Sequence, residues 1–347
     1  MSDRVLVTGI TGFVGGHVAL DLLKRGYAVR GSLRSMKKAD HVRDTLARHG
    51  APVDKLEFIE LDLLSDKGWD EAVKDCRYVQ HIASPFVTSM PDDEMELIRP
   101  AVEGTERALN AAFSADVERV IITSSAAAVM YGHSRDRKAP FTANDWTNTE
   151  GGDVTAYVKS KTLAERRAWE IAEAAGRRND IATVNPTGIF GPLLDTDPGT
   201  SGAIIVDVLK GQYPAVPRFA MGVVDVRDVA AVHVAAMETP EAGGHRYPVS
   251  AETIWMKRMA ETLATAFPQY RGKLPKFTLP DWAVKLYANF NADIKGILGE
   301  LGTFKVVEST DAEALINRKL IPADEAVIAT AKTIIDQGLL AEQKKAA

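Results

Sequence analysis

Tyr157 and Lys161 stand four positions apart in Tyr157-Val158-Lys159-Ser160-Lys161. On a helix they share a face, one turn from each other. A phenol with a pKa of about 10 is a poor acid or base at neutral pH. An ammonium one turn away changes that, because its charge favours the phenolate. Lys159 points roughly 200° away from Tyr157 and is a poor substitute. Upstream, Thr123-Ser124-Ser125 closes an apolar run that reads as a strand, and a hydroxyl there could hold and polarise a carbonyl oxygen. Ser125 is the preferred member of the pair over Ser124, although both could simply turn the chain out of the strand.

A second constellation lies near the start, in Thr8-Gly9-Ile10-Thr11-Gly12-Phe13-Val14-Gly15. These glycines follow a predicted strand and open a predicted helix, the setting a dinucleotide fingerprint requires. Gly9 permits a tight turn, Gly12 lets backbone approach a pyrophosphate, and Gly15 lets helix pack on strand, with the helix N-terminus aimed at the negative charge. The next strand ends in Gly31-Ser32-Leu33-Arg34, where an acidic residue would bind the ribose hydroxyls of NAD. Arg34, assisted by Lys38, instead suits the 2′-phosphate of NADP. Asp62 and Leu63 follow the third strand, where an adenine contact or an ordinary turn would fit. With a dinucleotide in place, Lys161 could also donate to the nicotinamide ribose.

These residues need a scaffold, and the first half of the chain supplies one. Strand-like runs at 5–8, 28–33, 56–61, 78–82, 120–123 and 181–184 alternate with helical patterns, which implies a doubly wound, Rossmann-type parallel sheet. Val14, Val18 and Leu22 form the stripe of the first helix, and Gly26 is its stop signal. Beyond Pro186 the pattern loosens among prolines and glycines, with later helices expected at 255–267 and 324–337. We expect an NADP-binding domain over 1–185, with 223–250 returning to it through a strand and helix at 223–237, and a smaller substrate-binding region over 186–222 and 251–347. The 347 residues are 46% hydrophobic and 26% charged, with 42 basic and 47 acidic residues giving a net charge of -5. This balance shows no footprint for nucleic acid or a membrane surface. Cys76 is the single cysteine, which excludes an intramolecular disulfide and fits a reducing compartment, so a cytoplasmic enzyme is expected. The seven histidines show no metal-ligand spacing, and no metal is expected.

The ordered set His81-Ile82-Ala83-Ser84-Pro85-Phe86, Pro100 to Thr105, Thr123-Ser124-Ser125-Ala126, Tyr157 to Lys161, Asn185 to Pro192 and Val224 to Ala230 resembles the extended short-chain dehydrogenase/reductases. Within them it is similar to the branch of dihydroflavonol reductases, cinnamoyl-CoA reductases and microbial methylglyoxal, aldehyde and ketone reductases. The resemblance implies a catalytic triad of Ser125, Tyr157 and Lys161. It implies cofactor contacts from Thr8, Gly9, Thr11, Gly12, Phe13, Val14, Gly15, Arg34, Lys38, Asp62, Leu63, Ala83, Ser84, Pro85, Thr123, Tyr157, Lys161, Pro186, Gly188 and Ile189. Candidate substrate contacts, beside Ser125, are Phe86, Met130, Tyr131, Phe190, Leu193, Leu194, Ile204, Val208 and Tyr213, a mostly apolar set.

The chain departs from the family pattern in three places. Ala101 stands where many extended members anchor a proton relay with asparagine. Met130 replaces the asparagine that contacts flavonoid hydroxyls in plant dihydroflavonol reductases. The cinnamoyl-CoA reductase signature around the tyrosine is missing. The implied activity is NADPH-dependent reduction of an apolar or aromatic aldehyde or ketone, reversible as an alcohol dehydrogenase, by a monomer or homodimer. The competing readings are a hydroxysteroid dehydrogenase, a nucleotide-sugar epimerase and a non-catalytic NADP sensor; Arg34 and the apolar loop at Phe86 argue against the sugar enzyme.

Overall fold

The computed structural model describes residues 3–85, 93–289 and 292–341. Phe86 lies outside them. Residues 1–187, 227–249 and 307–319 form one compact unit, and 188–226, 250–306 and 320–347 a second.

In chain order the strands are β1 (Arg4–Thr8), β2 (Ala28–Leu33), β3 (Leu56–Glu60), β4 (Tyr78–His81), β5 (Arg119–Thr123), β6 (Ile181–Pro186), β7 (Gly188–Phe190), β8 (Ala215–Val216), β9 (Ala220–Asp225), β10 (Arg246–Val249), β11 (Glu252–Trp255) and β12 (Phe277–Thr278). The first unit holds a seven-stranded sheet in the order β10-β6-β5-β4-β1-β2-β3. Every pairing in it is parallel. Its central strands are buried on both faces and so read as continuous apolar runs, with Val5, Leu6, Val7, Val120 and Ile121 fully enclosed. The chain lays β1, β2 and β3 to one side and then crosses back to place β4 on the other flank of β1. This makes a topological switch point beyond the C-terminal ends of β1 and β4, where open α/β sheets bind ligands. The arrangement is the expected Rossmann-type fold.

The helices that matter to the site are α1 (Phe13–Lys24), α2 (Ala39–Arg48), α3 (Trp69–Val73), α4 (Met95–Ser114), α5 (Ala156–Ala174), α6 (Gly199–Lys210) and α7 (Val226–Glu238). Leu6, Val79, Val120 and Ile122 of the sheet pack with Trp69 of α3, Leu109 of α4 and Ala168 and Trp169 of α5 in one core. Helix α1 stops where Gly26 takes a left-handed φ of +91°, as its sequence position suggested.

The second unit contains a three-stranded sheet, β11-β9-β7, and a pair, β12 with β8. The expected later helices form at Met256–Ala266 and Ala323–Asp336. Two expectations about chain return are corrected. Strand β9 does not rejoin the large sheet: it pairs with β7 and, antiparallel, with β11. The strand that completes the large sheet is β10, beside β6, and the segment 307–319 also belongs to the first unit. Alternation of apolar residues could not distinguish β9 from β10, because both are short and fully buried apart from Met221.

Candidate active site

At the switch point the chain leaves β1 through Gly9, whose φ of +69° only glycine adopts without strain. A Cβ there would meet Ala83 Cα at 3.0 Å, so β4's extension passes directly against the turn. A Cβ on Gly15 would lie 2.2 Å from the Gly9 carbonyl oxygen, which makes Gly15 the residue that lets α1 start this close to β1. Gly12 is the N-cap of α1, with no side-chain cap and no acidic residue in the first turn. The first amides of α1, at Phe13 and Val14, are therefore left to an anion, as a pyrophosphate cradle requires. Ser32 Oγ accepts from Gly9 N–H at 3.1 Å and fixes the turn from the β2 side, a role the sequence reading did not assign.

Thr8 is structural in its side chain. Its Oγ1 accepts from Ile82 N–H at 2.9 Å and Ala83 N–H at 3.0 Å, and lies 3.1 Å from His81 Nδ1. With both lone pairs used, its proton goes to Nδ1, which puts the His81 ring proton on Nε2. Burial, together with the charge of Lys161, pushes the His81 pKa down to about 4, so the ring is neutral. Thr123, also expected to touch cofactor, directs Oγ1 to His233 Nε2 at 3.0 Å. His233 Nδ1 in turn sits 2.8 Å from Gln80 Oε1, and burial pushes this histidine down to about 3. Ala83, Ser84 and Pro85 follow β4, with Ser84 and Pro85 half-buried.

Arg34 and Lys38 are exposed beyond β2 and make no ion pair with another described residue. Two cations left without protein carboxylates suit a phosphate. Asp62 uses Oδ1 to accept from Leu64 N–H at 2.9 Å, closing a turn, and Leu63 packs over Gly104.

Beyond β5 the adjacent serines diverge. Ser124 is buried and donates to Glu165 Oε2 at 2.5 Å. Ser125 caps the 3-10 turn Ala126–Ala128, accepting from Ala127 N–H at 3.1 Å, and hydrogen-bonds the Tyr157 hydroxyl. Thr155 caps α5 by accepting from Val158 N–H at 3.3 Å, so the helix begins just before Tyr157. Lys161 Nζ lies 5.9 Å from the Tyr157 ring centre. Ser125, Tyr157 and Lys161 thus converge, while Lys159 pairs outward with Glu94 at 2.9 Å. Burial raises the Tyr157 pKa, against a lowering by the Ser125 hydrogen bond. Burial pushes Lys161 down to about 8, and the charge of Glu165 opposes the fall.

Met130, half-buried, packs on Ala126, Val129, Phe141 and Val307 just past the Ser125 turn, and Tyr131 N–H donates to Thr147 Oγ1 at 3.0 Å. Pro186 ends β6, and Gly188 and Ile189 open β7 in the second unit, both half-buried. Also in the second unit, Ile204 is half-buried on α6 and Tyr213 donates to Asp207 Oδ2 at 3.2 Å. Phe190 and Leu193 are corrected: at 0% and 2% exposure they are buried core residues rather than surface presented to a ligand. Val208 is core as well.

Residues 5–250 match the NAD dependent epimerase/dehydratase family. The chain belongs to that family. Among relatives, cinnamoyl-CoA reductase 1 of Petunia hybrida is 35% identical over 270 residues, 77% of this chain and 78% of the relative. A ketoreductase of Aspergillus niger is 31% identical over 318 residues, covering 86% and 93%. The crystal structure of yeast methylglyoxal/isovaleraldehyde reductase complexed with NADPH superimposes with a TM-score of 0.80 at 27% identity, covering 97% of this chain and all of that one. With these reductases inside the family, the chain is an oxidoreductase of its extended short-chain dehydrogenase/reductase branch. No helix among the described residues is long and apolar enough to cross a membrane.

Proposed function

We propose that this enzyme reduces an aldehyde or ketone to the alcohol with NADPH, favouring apolar or aromatic carbonyl compounds. The observation that carries the reading is the convergence of Ser125, Tyr157 and Lys161 at the end of β5, in the same unit as a glycine cradle and an unpaired Arg34. The cradle residues 9–15, Ser32, Arg34 and Lys38 would hold the dinucleotide, and Lys161 its nicotinamide ribose. When bound, NADPH supplies the hydride. Tyr157 delivers its hydroxyl proton to the carbonyl oxygen, which the Ser125 hydroxyl holds as donor. Lys161 stabilises the phenolate left behind by its charge. Met130, half-buried just past the Ser125 turn, is apolar, and apolar area contributes roughly 25 cal/mol per Å² on burial, so a ring substituent gains there where a sugar would leave hydroxyls unpaired. The same reading assigns a cytoplasmic location and a monomer or homodimer, in keeping with one buried cysteine.

Tyr157→Phe keeps the ring and removes only the hydroxyl. It is expected to retain NADPH affinity while single-turnover reduction falls by about 100-fold or more, and Lys161→Met to impair both. The assay is NADPH oxidation against small ketoaldehydes, aromatic aldehydes, aryl ketones, steroids and hydroxycinnamoyl thioesters. Near-wild-type turnover by folded Tyr157→Phe, or turnover confined to a UDP-sugar, overturns the reading.

A further inference from the structure

Behind the candidate triad lies a buried polar cluster that the proposed chemistry does not use. Glu165 occupies the apolar stripe of α5, one turn beyond Lys161, with its side chain fully enclosed. Its Oε1 receives Arg246 Nε of β10 at 2.6 Å and Thr183 Oγ1 of β6 at 3.0 Å. Its Oε2 receives Ser124 Oγ, just past β5, at 2.5 Å and Asn185 Nδ2 of β6 at 2.6 Å. The Asn185 amide nitrogen has two protons and lies 3.3 Å from the Ser125 carbonyl oxygen as well. Arg246, 8% exposed, spends its remaining donors on the carbonyls of Ala143 at 2.8 Å, Asp145 at 2.6 Å and Ala128 at 3.3 Å, the last in the turn that Ser125 caps, and stacks over Trp146.

One carboxylate therefore ties three neighbouring strands to the helix that bears Tyr157 and Lys161, and it grips the backbone on both sides of Ser125. The charged and titratable groups that face Lys161 are Tyr157 and Glu165 from α5 and His81 from β4. Tyr157 and His81 are neutral at neutral pH, so Glu165 is the anion among them.

Resting on the reductase reading, we propose that Glu165 is a positioning residue. Through Ser124, Asn185 and Arg246 it fixes the Ser125 turn against Tyr157, and through its charge it keeps Lys161 protonated. An ammonium enclosed by protein is costly without a nearby anion, and a hydroxyl that must meet a carbonyl oxygen loses rate steeply when its strand end shifts.

The test is Glu165→Gln beside Glu165→Asp. Lysine ε-carbon NMR titration of the cofactor-free protein, with the Lys161 signal identified by Lys161→Met, reads the charge directly. The pH profile of kcat/KM for NADPH-dependent carbonyl reduction reads its consequence. Glu165→Gln is expected to lower the Lys161 titration by about half a unit or more, to carry the alkaline limb of the profile with it, and to reduce kcat by about 10-fold or more. Glu165→Asp is expected to return both midpoints toward wild type. Should Glu165→Gln not fold, the double variant Glu165→Gln, Arg246→Met leaves no buried guanidinium without its carboxylate and carries the same expectation for both midpoints. A folded variant lacking the carboxylate whose Lys161 titration and alkaline limb stay at the wild-type positions overturns the proposal. Tyr157→Phe run in parallel separates the two failures: undiminished turnover there sinks the triad chemistry, and the Lys161 titration then decides the role of Glu165 by itself.

Discussion

The two ends of the ligand-binding edge in the first unit are made in opposite ways. At β1 and α1 the surface exists because side chains are missing: Gly9 bends, Gly12 leaves amides uncapped, and Gly15 admits the helix within contact of a carbonyl oxygen. At β5 and α5 it exists because polar side chains are buried, and Ser124 and Ser125 show this within two residues, one turned into the core toward Glu165 and the other toward Tyr157. A cradle of backbone tolerates no added volume but asks little of distant residues. A constellation of side chains tolerates volume better and depends on partners from β6, β10 and beyond.

That contrast ranks the variants. Gly15→Val is expected to be the most damaging, abolishing NADPH binding and activity, because its Cβ has no room at 2.2 Å from backbone that cannot rotate away; isothermal titration with NADPH checks it. Ser125→Ala should cost about 100-fold in kcat, the usual loss of one donor to a developing oxyanion, and Ser124→Ala clearly less. Equal losses at the two serines would erase the distinction between outward and inward hydroxyl. Arg34→Ala removes a charge-assisted hydrogen bond of about 1.5 to 3 kcal/mol, so the NADPH Michaelis constant should rise by about 10- to 150-fold with that for NADH nearly unchanged. The smallest effect is graded with pH. Lys161 is charged below about pH 8 and neutral above it, and in the proposed reaction its charge would stabilise the phenolate left on Tyr157. The kcat/KM for reduction, which reports free enzyme, is therefore expected to be full at neutral pH and to fall as pH rises through about 8.

The same contrast explains what could be read from the sequence. Six strands, the first helix with its stop at Gly26, and the glycine cradle were legible because each rests on local rules of period, turn and spacing. Tyr157 and Lys161 were legible because one helical turn joins them. The supporting residues were not, since Glu165, Asn185 and Arg246 meet only after β6 pairs with β5 and β10 with β6. A carboxylate in the stripe Val158, Thr162, Glu165, Trp169 was the available signal, and a charge on a buried helix face asks for its partner. The protein-side roles of the Thr8 and Thr123 hydroxyls were hidden for a related reason. A threonine at a strand end serves ligand or backbone equally well on paper, and here both hydroxyls serve the protein. Phe190 and Leu193 show the limit of composition, since apolar residues after a glycine-rich turn suit a pocket and a small core alike.

The Thr8 hydroxyl has a consequence for how the cradle spends its time. Ile82 and Ala83 lie past the end of β4, where amides ordinarily exchange with solvent deuterium as a loop does. Both donate to one oxygen that is itself anchored on the neighbouring strand, so they can open only when β1 and β4 part, and their exchange should follow the slow protection of the central sheet. Gly9, which touches Ala83, inherits that stillness. The floor on which a pyrophosphate would rest is then ordered before any ligand arrives, and the entropy of arranging it is already spent in folding rather than drawn from binding.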